Sequence, residues 1–141
     1  MPVRISCSVQ PTEDRNRVID ALAFLHPDIS SHIEEDADVL SVNLDGNEKE
    51  TLFHIRQHIH DNRVIDAFRR IIASNRSSRG TSFHVDKQAA YVNRLRLVDP
   101  QNGESPLGSI KIEISMESSD ALDAFLNWFI PPTEDGRILF N

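Results

Sequence analysis

Basic side chains concentrate in the middle of an otherwise acidic chain, and cations in that pattern can bind a polyanion. Residues 56–96 contain nine Lys or Arg residues against three acidic residues, so this stretch carries +6. The whole chain of 141 residues carries −7, which leaves −13 for the remainder. A uniformly acidic protein would repel nucleic acid, whereas a local excess of cations attracts phosphates. We call residues 56–96 the basic segment and expect it to provide the functional surface.

Eight side chains of the basic segment are candidate phosphate contacts. Twelve of the fifteen basic residues in the chain are arginines, whose planar guanidinium can bind phosphate or carboxylate through two parallel hydrogen bonds. A biased genomic composition with few lysines explains the same count. The candidates are Arg63, Arg69, Arg70, Arg76, Arg79, Lys87, Arg94 and Arg96.

The first candidates lie on a predicted helix whose apolar face is centred on Phe68. At about 100° per residue, Arg63 and Arg70 fall on the opposite, solvent-facing side, and two further arginines, Arg69 and Arg76, fall on one flank. Such a row can contact successive phosphates. Asp66 is spaced to pair with Arg63 and with Arg70. The alternative is therefore a solvated helix face whose charges pair with one another.

The other candidates belong to a predicted β stretch that ends in residues 91–97. Arg94 and Arg96 are two residues apart and therefore point to the same face. If this stretch pairs with the strand around Lys111, the three cations share one sheet surface. Tyr91 alternates to the apolar side and is expected in the core. Aromatic residues make up only 6% of the chain, which favours recognition of the backbone or shape of a nucleic acid over base stacking.

Other kinds of site are poorly supported by the sequence. His54 and His58 are four residues apart, as two metal ligands on a helix can be, but the H-E-x-x-H pattern and a third ligand are missing. Cys7 alternates inward, and the P-loop, dinucleotide-binding and serine-hydrolase motifs do not occur in the sequence. We expect a protein that is not an enzyme and holds no metal or cofactor.

The elements that must position these candidates are both strands and helices. Alternating apolar residues predict strands at 3–9, 40–44, 83–85 and 110–116. Helical spacing predicts helices over 12–25, 48–75 and 119–129, the second broken near 60–62. The acidic residues 34–38 are interpreted as a solvated connection. The sum is one α+β domain over residues 1–141, with a four- or five-stranded sheet and helices packed on one face.

The sequence also indicates the cellular compartment in which the protein is expected. The N-terminus has no hydrophobic signal segment, and no apolar run approaches the roughly 18 residues that a membrane span needs. The chain has one cysteine, so a disulfide framework is excluded and a reducing compartment is favoured. We expect a cytoplasmic protein without a membrane partner.

Three segments in colinear order resemble an uncharacterised family of small archaeal proteins described as predicted RNA-binding proteins. They are Pro-Thr-Glu-Asp at 11–14, Phe-His-Val-Asp-Lys-Gln-Ala-Ala at 83–90 and Ser-Pro-Leu-Gly at 105–108, with the helix at 66–72 between the first two. The resemblance implies RNA binding and a fold similar to the large-subunit ribosomal protein that contacts 5S rRNA. It implies no catalytic residues. Where family members commonly have Asn before Lys-Gln-Ala-Ala, this chain has Asp86.

The leading hypothesis is a non-enzymatic module that binds the RNA backbone through the basic segment. The alternative is a protein-interaction or assembly module, in which the basic segment meets an acidic surface such as residues 34–38 of a second copy and forms a homo-oligomer. A third hypothesis is a small-molecule site near Lys87 and Gln88. The polyanion hypothesis requires that the helix cations and the strand cations adjoin in space.

Overall fold

The computed structural model describes residues 3–26, 33–36, 38–44, 48–61, 63–98, 108–134 and 137–138. Its strands are β1 (Val3–Ser8), β2 (Glu34–Asp36), β3 (Val39–Leu44), β4 (Gly80–Asp86), β5 (Ser109–Ser115), β6 (Thr133–Glu134) and β7 (Arg137–Ile138). Its helices are α1 (Arg15–Leu25), α2 (Glu48–Thr51), α3 (Phe53–Asp61), α4 (Ile65–Ser74), α5 (Lys87–Tyr91) and α6 (Ser119–Phe129). Among these helices, none is long and apolar enough to cross a membrane.

Five strands form one antiparallel sheet in the order β2-β3-β1-β5-β4, and β6 pairs with β7 separately. The alternation of the sequence sets the register: Ile5 of β1 lies opposite Val42 of β3 on one side and Ile112 of β5 on the other. All three side chains are fully buried. The predicted α+β class and sheet of four or five strands are therefore confirmed, and the sheet has five strands.

The helices cover one face of the sheet, and the core lies between the two layers. Phe68 of α4 packs edge-to-face on Phe83 of β4, with ring centroids 5.4 Å apart. Phe129 of α6 reaches the same Phe83 ring at 6.1 Å. The apolar face predicted around Phe68 is confirmed, since Ile65, Ile71 and Ile72 are buried with it.

The opposite face of the sheet remains half-exposed, and we call it the open face. Because successive strand residues point to opposite sides, the residues between the buried ones lie there. From the three strands β1, β4 and β5 these include Arg4, Ser6, Ser82, His84, Ser109, Lys111, Glu113 and Ser115. The pattern is that of an antiparallel sheet with one packed and one solvated face.

One segment of the predicted β structure differs in the observed fold. Residues 91–97 do not form a strand of the sheet, because residues 87–91 continue as helix α5 and only Leu97 makes an isolated bridge, to Val85. Asn93 has φ 59°, a left-handed conformation that ends helices and that Asn tolerates. The predicted pairing of this stretch with the Lys111 strand is also wrong, since β4 lies between them.

The other corrections concern the acidic residues. Residues 34–36 form edge strand β2 instead of a connection. Helix α1 is capped by the Asp14 side chain, which accepts from the Asn16 amide at 2.9 Å, so it begins three residues after Thr12. Residues 45–47, 99–100 and 102–103 have the sequences Asp-Gly-Asn, Asp-Pro and Asn-Gly, which predict turns, and they lie outside the described residues.

The exposed edge of β4 is already hydrogen-bonded within the chain. Its carbonyls at Ser82 and His84 accept from the Asn75 side chain and the Val98 amide, both at 2.9 Å. The Asp86 amide donates to the carbonyl of Arg96 at 2.8 Å. An edge covered in this way is a poor template for pairing with a second chain, which weakens edge-to-edge assembly at β4.

The break in the predicted helix over residues 48–75 has a backbone cause. Arg63 follows α3 with φ 57°, and the Arg63 and Val64 amides donate back to the carbonyls of His60 and Ile59, both at 3.2 Å. This is the left-handed helix ending in which glycine is usual, because other residues strain there.

We predict that Arg63→Gly stabilises the fold by about 1 kcal/mol, because glycine relieves the left-handed strain. Arg63→Ala is the matched control: it removes the same side chain but keeps Cβ, and its stability should stay within about 0.5 kcal/mol of the parent. Urea unfolding followed by the fluorescence of the single tryptophan, Trp128, measures both. Equal stability of the two variants would contradict the prediction.

Candidate nucleic-acid interface

Lys87 is not on the surface, so its prediction as a phosphate contact is wrong. Its side chain is fully buried, and Nζ donates to the backbone carbonyl of Ser8 at 2.6 Å and to Oε1 of Glu13 at 3.0 Å. The Glu13 side chain is only 3% exposed. The two charges therefore form a buried ion pair that joins the end of β1, the start of α1 and the start of α5.

Glu13 is held ionised by several donors. Burial alone would raise its pKa, but hydrogen bonds from the Tyr91 hydroxyl, the Gln10 amide and Lys87 outweigh burial and lower the pKa below its usual value. Burial and the hydrogen bond to Glu13 raise the pKa of Tyr91. Burial also raises the pKa of the Cys7 thiol to about 11, so Cys7 is a neutral core side chain and not a nucleophile.

Part of the basic segment is used to cap the C-terminal end of α6. The Arg56 side chain donates to the carbonyl of Trp128 at 2.9 Å and stacks on its ring at 4.7 Å, while a ring nitrogen of His60 lies 3.0 Å from the carbonyl of Phe129. Arg69 donates to the next two carbonyls, those of residues 130 and 131. These carbonyls have no partners inside the helix, and cations are favoured at its negative end.

Two candidates predicted on the flank of α4 therefore have contacts within the protein. Arg69 also pairs with Asp66 at 3.1 Å, so the acid predicted to neutralise Arg63 and Arg70 binds the arginine between them. Arg76 pairs with Asp123 and donates to the hydroxyl of Ser119 at 3.2 Å. Both arginines hold α6 against α4, and neither is presented as a separate phosphate-binding group.

The five remaining candidates are exposed, and they divide between two surfaces. They are Arg63, Arg70, Arg79, Arg94 and Arg96. Helix α4 packs on the covered side of the sheet through Phe68, so the exposed Arg70 faces away from the sheet. Leu97 pairs with the buried Val85 and packs against the core, so its neighbour Arg96 points towards the open face. The helix cations and the sheet cations do not meet on one surface. The requirement set for a single polyanion-binding surface built from the basic segment is therefore not met.

We call Arg79, Arg94 and Arg96 the β4 margin, since they flank the two ends of that strand. Arg79 immediately precedes β4, and its carbonyl accepts from the Met116 amide at 2.7 Å. The carbonyl of Arg96 accepts from Asp86, the last residue of β4. Seven strand residues separate the two ends by about 20 Å at 3.4 Å per residue. The exposed arginines of the margin thus lie near both ends of β4, and of the three it is Arg96 that strand alternation places on the open face.

Further cations lie on the open face itself, and the sequence-based candidates did not include them. Glu113 lies between Lys111 at 2.9 Å and Arg4 at 3.6 Å. The hydrogen bond from Lys111, with the charge of Arg4 added, lowers the pKa of Glu113. The two cations remain 42% and 48% exposed, and His84 lies opposite Lys111 across the strands.

The sequence contained a signal for this face that the basic segment obscured. Arg4 and Lys111 lie outside residues 56–96, but each falls at a polar position of a strictly alternating strand. Register then brings them together, because Arg4 pairs with Glu113, two residues from Lys111. Charge counted along the chain could not reveal this group, since its members are over a hundred residues apart.

The molecule is thus an α+β protein with helices on one face of an antiparallel sheet and a polar open face on the other. Residues 2–116 match a family model described as RNA binding. A UPF0201 protein of Metallosphaera sedula is 30% identical over 137 residues, covering 97% of this chain and 92% of its own length. Another, of Sulfurisphaera tokodaii, is 31% identical over 135 residues, covering 94% and 88%. The chain belongs to this archaeal family.

A solved structure has the same fold. The crystal structure of a UPF0201 protein from Methanococcus jannaschii superposes with a TM-score of 0.78 at 20% identity, covering 99% of this chain and all of that one. At this identity the likeness speaks for the fold alone. The likeness to the 5S rRNA-contacting ribosomal protein stays a prediction.

We predict that Glu13→Gln and Lys87→Met each destabilise the fold by about 3–5 kcal/mol, because each leaves a buried partner without its counterpart. The double variant should be more stable than the less stable single variant, since it leaves no unpaired buried charge. Urea unfolding at neutral pH measures all three.

The exposed pair Arg15–Glu35, both about half-exposed at 2.9 Å, is the control, and Glu35→Gln should cost about 0–1 kcal/mol. Because the folded pKa of Glu13 is lowered, its stabilisation is present above the unfolded pKa and is lost as pH falls through the folded pKa. The difference between the parent and Glu13→Gln should shrink over that acidic range. Strictly additive single-variant costs would argue against the buried pair.

Proposed function

We propose that this protein is a non-enzymatic RNA-binding module that contacts the sugar–phosphate backbone across its open face and β4 margin. The observation that carries the proposal is the match to a family model described as RNA binding, over residues 2–116. This span holds all five strands of the sheet and ends one residue after β5. Helix α6 lies outside this span. So do the carbonyls at its C-terminal end that accept hydrogen bonds from Arg56 and Arg69.

The number of exposed cations favours the open face and the β4 margin over the outer side of α4. Beside α4, Arg63 and Arg70 are exposed, and Asp66 between them is paired with Arg69. On the open face, Glu113 is bridged by two cations, so Arg4, Lys111 and Glu113 together carry +1. The same face also carries Glu34, opposite Ser41, and Asp86 at the end of β4. The exposed Arg96 adds a cation to this face, and Arg79 and Arg94 are exposed near the two ends of β4. Phosphate binding strengthens with the number of cations that act together.

The chemistry of the open face fits backbone contact better than catalysis. Besides the paired carboxylate of Glu113, its side chains include hydroxyls, cations and an imidazole, which are groups that contact phosphates and sugars in nucleic-acid complexes. Among the described residues no group of three or more His, Cys, Asp and Glu side chains could hold a metal ion. The thiol of Cys7 is buried and neutral. We therefore propose binding as the function, with no chemical step.

The assembly alternative receives less support. It requires the acidic residues 34–38 of one copy to meet the basic segment of another, but Glu35 is already paired with Arg15 of its own chain. Of the basic segment, Lys87 is buried, and Arg56, Arg69 and Arg76 bind groups of the same chain. Fewer charges are left for such an interface than the sequence suggests.

We predict that the affinity for RNA falls with salt and that Arg79→Gln/Arg96→Gln lowers the slope of log K against log salt by about 1 for each arginine that binds a phosphate. The matched control is Arg63→Gln/Arg70→Gln, which removes two exposed arginines of the same basic segment from the outer side of α4. Fluorescence anisotropy with a labelled RNA between about 50 and 200 mM salt measures both slopes. A larger effect from the control pair would move the interface to the helix layer.

We predict opposite effects from neighbouring positions on the open face. Glu113→Gln frees Arg4 and Lys111 from their shared carboxylate and should strengthen RNA binding, whereas Lys111→Gln should weaken it and lower the salt slope by about 1. The same anisotropy titrations compare the two variants with the parent. If both substitutions changed the affinity in the same direction, the phosphate would not lie on this face.

A further inference from the structure

We infer that the RNA recognised by this protein is double-helical, and that the open face contacts its wide, shallow minor groove. This inference rests on the proposed function and names the class of RNA. It follows from three properties of the described part of the open face: the absence of aromatic stacking platforms, the small hydroxyl side chains, and the placement of the cations.

Proteins that bind single-stranded RNA through a sheet stack its bases on exposed aromatic side chains. The described aromatic residues are instead in the core or the helix layer, where Phe68, Phe83, Phe125 and Phe129 are buried. Tyr91 is turned inward by its hydrogen bond to Glu13. On the described strands, the open face carries one ring, the imidazole of His84. A face of this kind cannot hold a row of unstacked bases.

Small hydroxyl side chains occupy several positions of the open face. Four of its positions are serines that are half-buried or exposed: Ser6, Ser82, Ser109 and Ser115. A solvated strand position normally favours Thr or Val, whose branched side chains suit the strand conformation. A serine hydroxyl both donates and accepts, as the ribose 2′-hydroxyl does. The minor groove of an RNA duplex displays rows of these 2′-hydroxyls on a shallow surface.

The cations lie among these hydroxyls. Ser6, Lys111 and His84 share one cross-strand row, and Arg4, Glu113 and Ser82 share the next. Lys111 and Arg4 are thus diagonal neighbours, about 7–8 Å apart at Cα, with serines beside each. The β4 margin extends the positive charge beyond the sheet. Lys111 thus lies on the middle strand with serines on the strands beside it, so cations and hydroxyls alternate across the face and can contact the phosphates and 2′-hydroxyls of a shallow minor groove together.

The test compares three labelled probes of one arbitrary sequence: an RNA duplex of about 20 base pairs, somewhat longer than the span of known duplex-RNA domains, one of its single strands, and the corresponding DNA duplex. Fluorescence anisotropy at one salt concentration gives the dissociation constants for the full chain. We expect the RNA duplex to bind about tenfold or more tightly than the other two, since only it presents 2′-hydroxyls in a regular shallow groove.

Tighter or equal binding of the single strand would overturn the inference and leave the proposed function intact. Equal binding of the two duplexes would overturn the minor-groove contact, because phosphates alone would then explain the affinity. Failure of all three probes to bind would instead refute the proposed function itself. The three failures are therefore distinguishable.

A double variant tests the contribution of the hydroxyls separately from that of the charges. Ser6→Ala/Ser82→Ala should reduce the preference for RNA over DNA duplex by about two- to tenfold for each hydrogen bond to a 2′-hydroxyl that it removes, while leaving the salt slope unchanged. The control Ser74→Ala/Ser78→Ala removes two exposed hydroxyls outside the open face and should leave the preference as it is. An unchanged preference in the first variant, with its fold verified by urea unfolding, would also overturn the inference.

Discussion

The buried pair between Lys87 and Glu13 is the contact on which the arrangement of this protein depends. It joins the start of α1 to the start of α5. Through the carbonyl of Ser8 it also joins both helices to β1, the central strand of the sheet. An ion pair inside a protein is not by itself a large source of stability, because both charges must leave water. The pair instead favours one arrangement of these elements over others, because a packing that separated them would leave a buried charge unpaired.

This pair gives a physical meaning to the three segments on which the resemblance to the family was based. Glu13 belongs to Pro-Thr-Glu-Asp, and Lys87 belongs to the segment that ends in Lys-Gln-Ala-Ala. The third segment ends at Gly108, whose φ is 83° and which lies beside the Ser8 side chain. Two of the three segments therefore meet at the ion pair, and the third ends next to it. In this chain the segments hold elements of the fold together, and the surface proposed to contact RNA is built elsewhere.

The side chains of the basic segment divide between structural contacts and exposed positions. Its local charge of +6 suggested a single polyanion-binding surface, but the structure assigns Arg56, His60 and Arg69 to the end of α6, Arg76 to the start of that helix and Lys87 to the interior. What remains exposed is split between the two layers. The open face gains cations from β1 and β5, which the charge distribution along the chain did not indicate. A charge count therefore overestimated one surface and missed another.

Sequence alone determined the α+β class, the buried face of α4 and the alternation of β1 and β5, because these features arise from residues within a few positions of one another. It failed at residues 91–97, where an apolar alternation resembled a strand although Asn93 ends a helix in a left-handed conformation. Only the tertiary structure decided which cations are buried, which cap a helix and which are exposed on the open face. Those outcomes depend on strand register and on contacts between residues far apart in the chain, such as Arg69 with α6 or Arg4 with Glu113. Periodicity and local charge carry no information about such distant partners, which explains why the elements were predictable and the site was not.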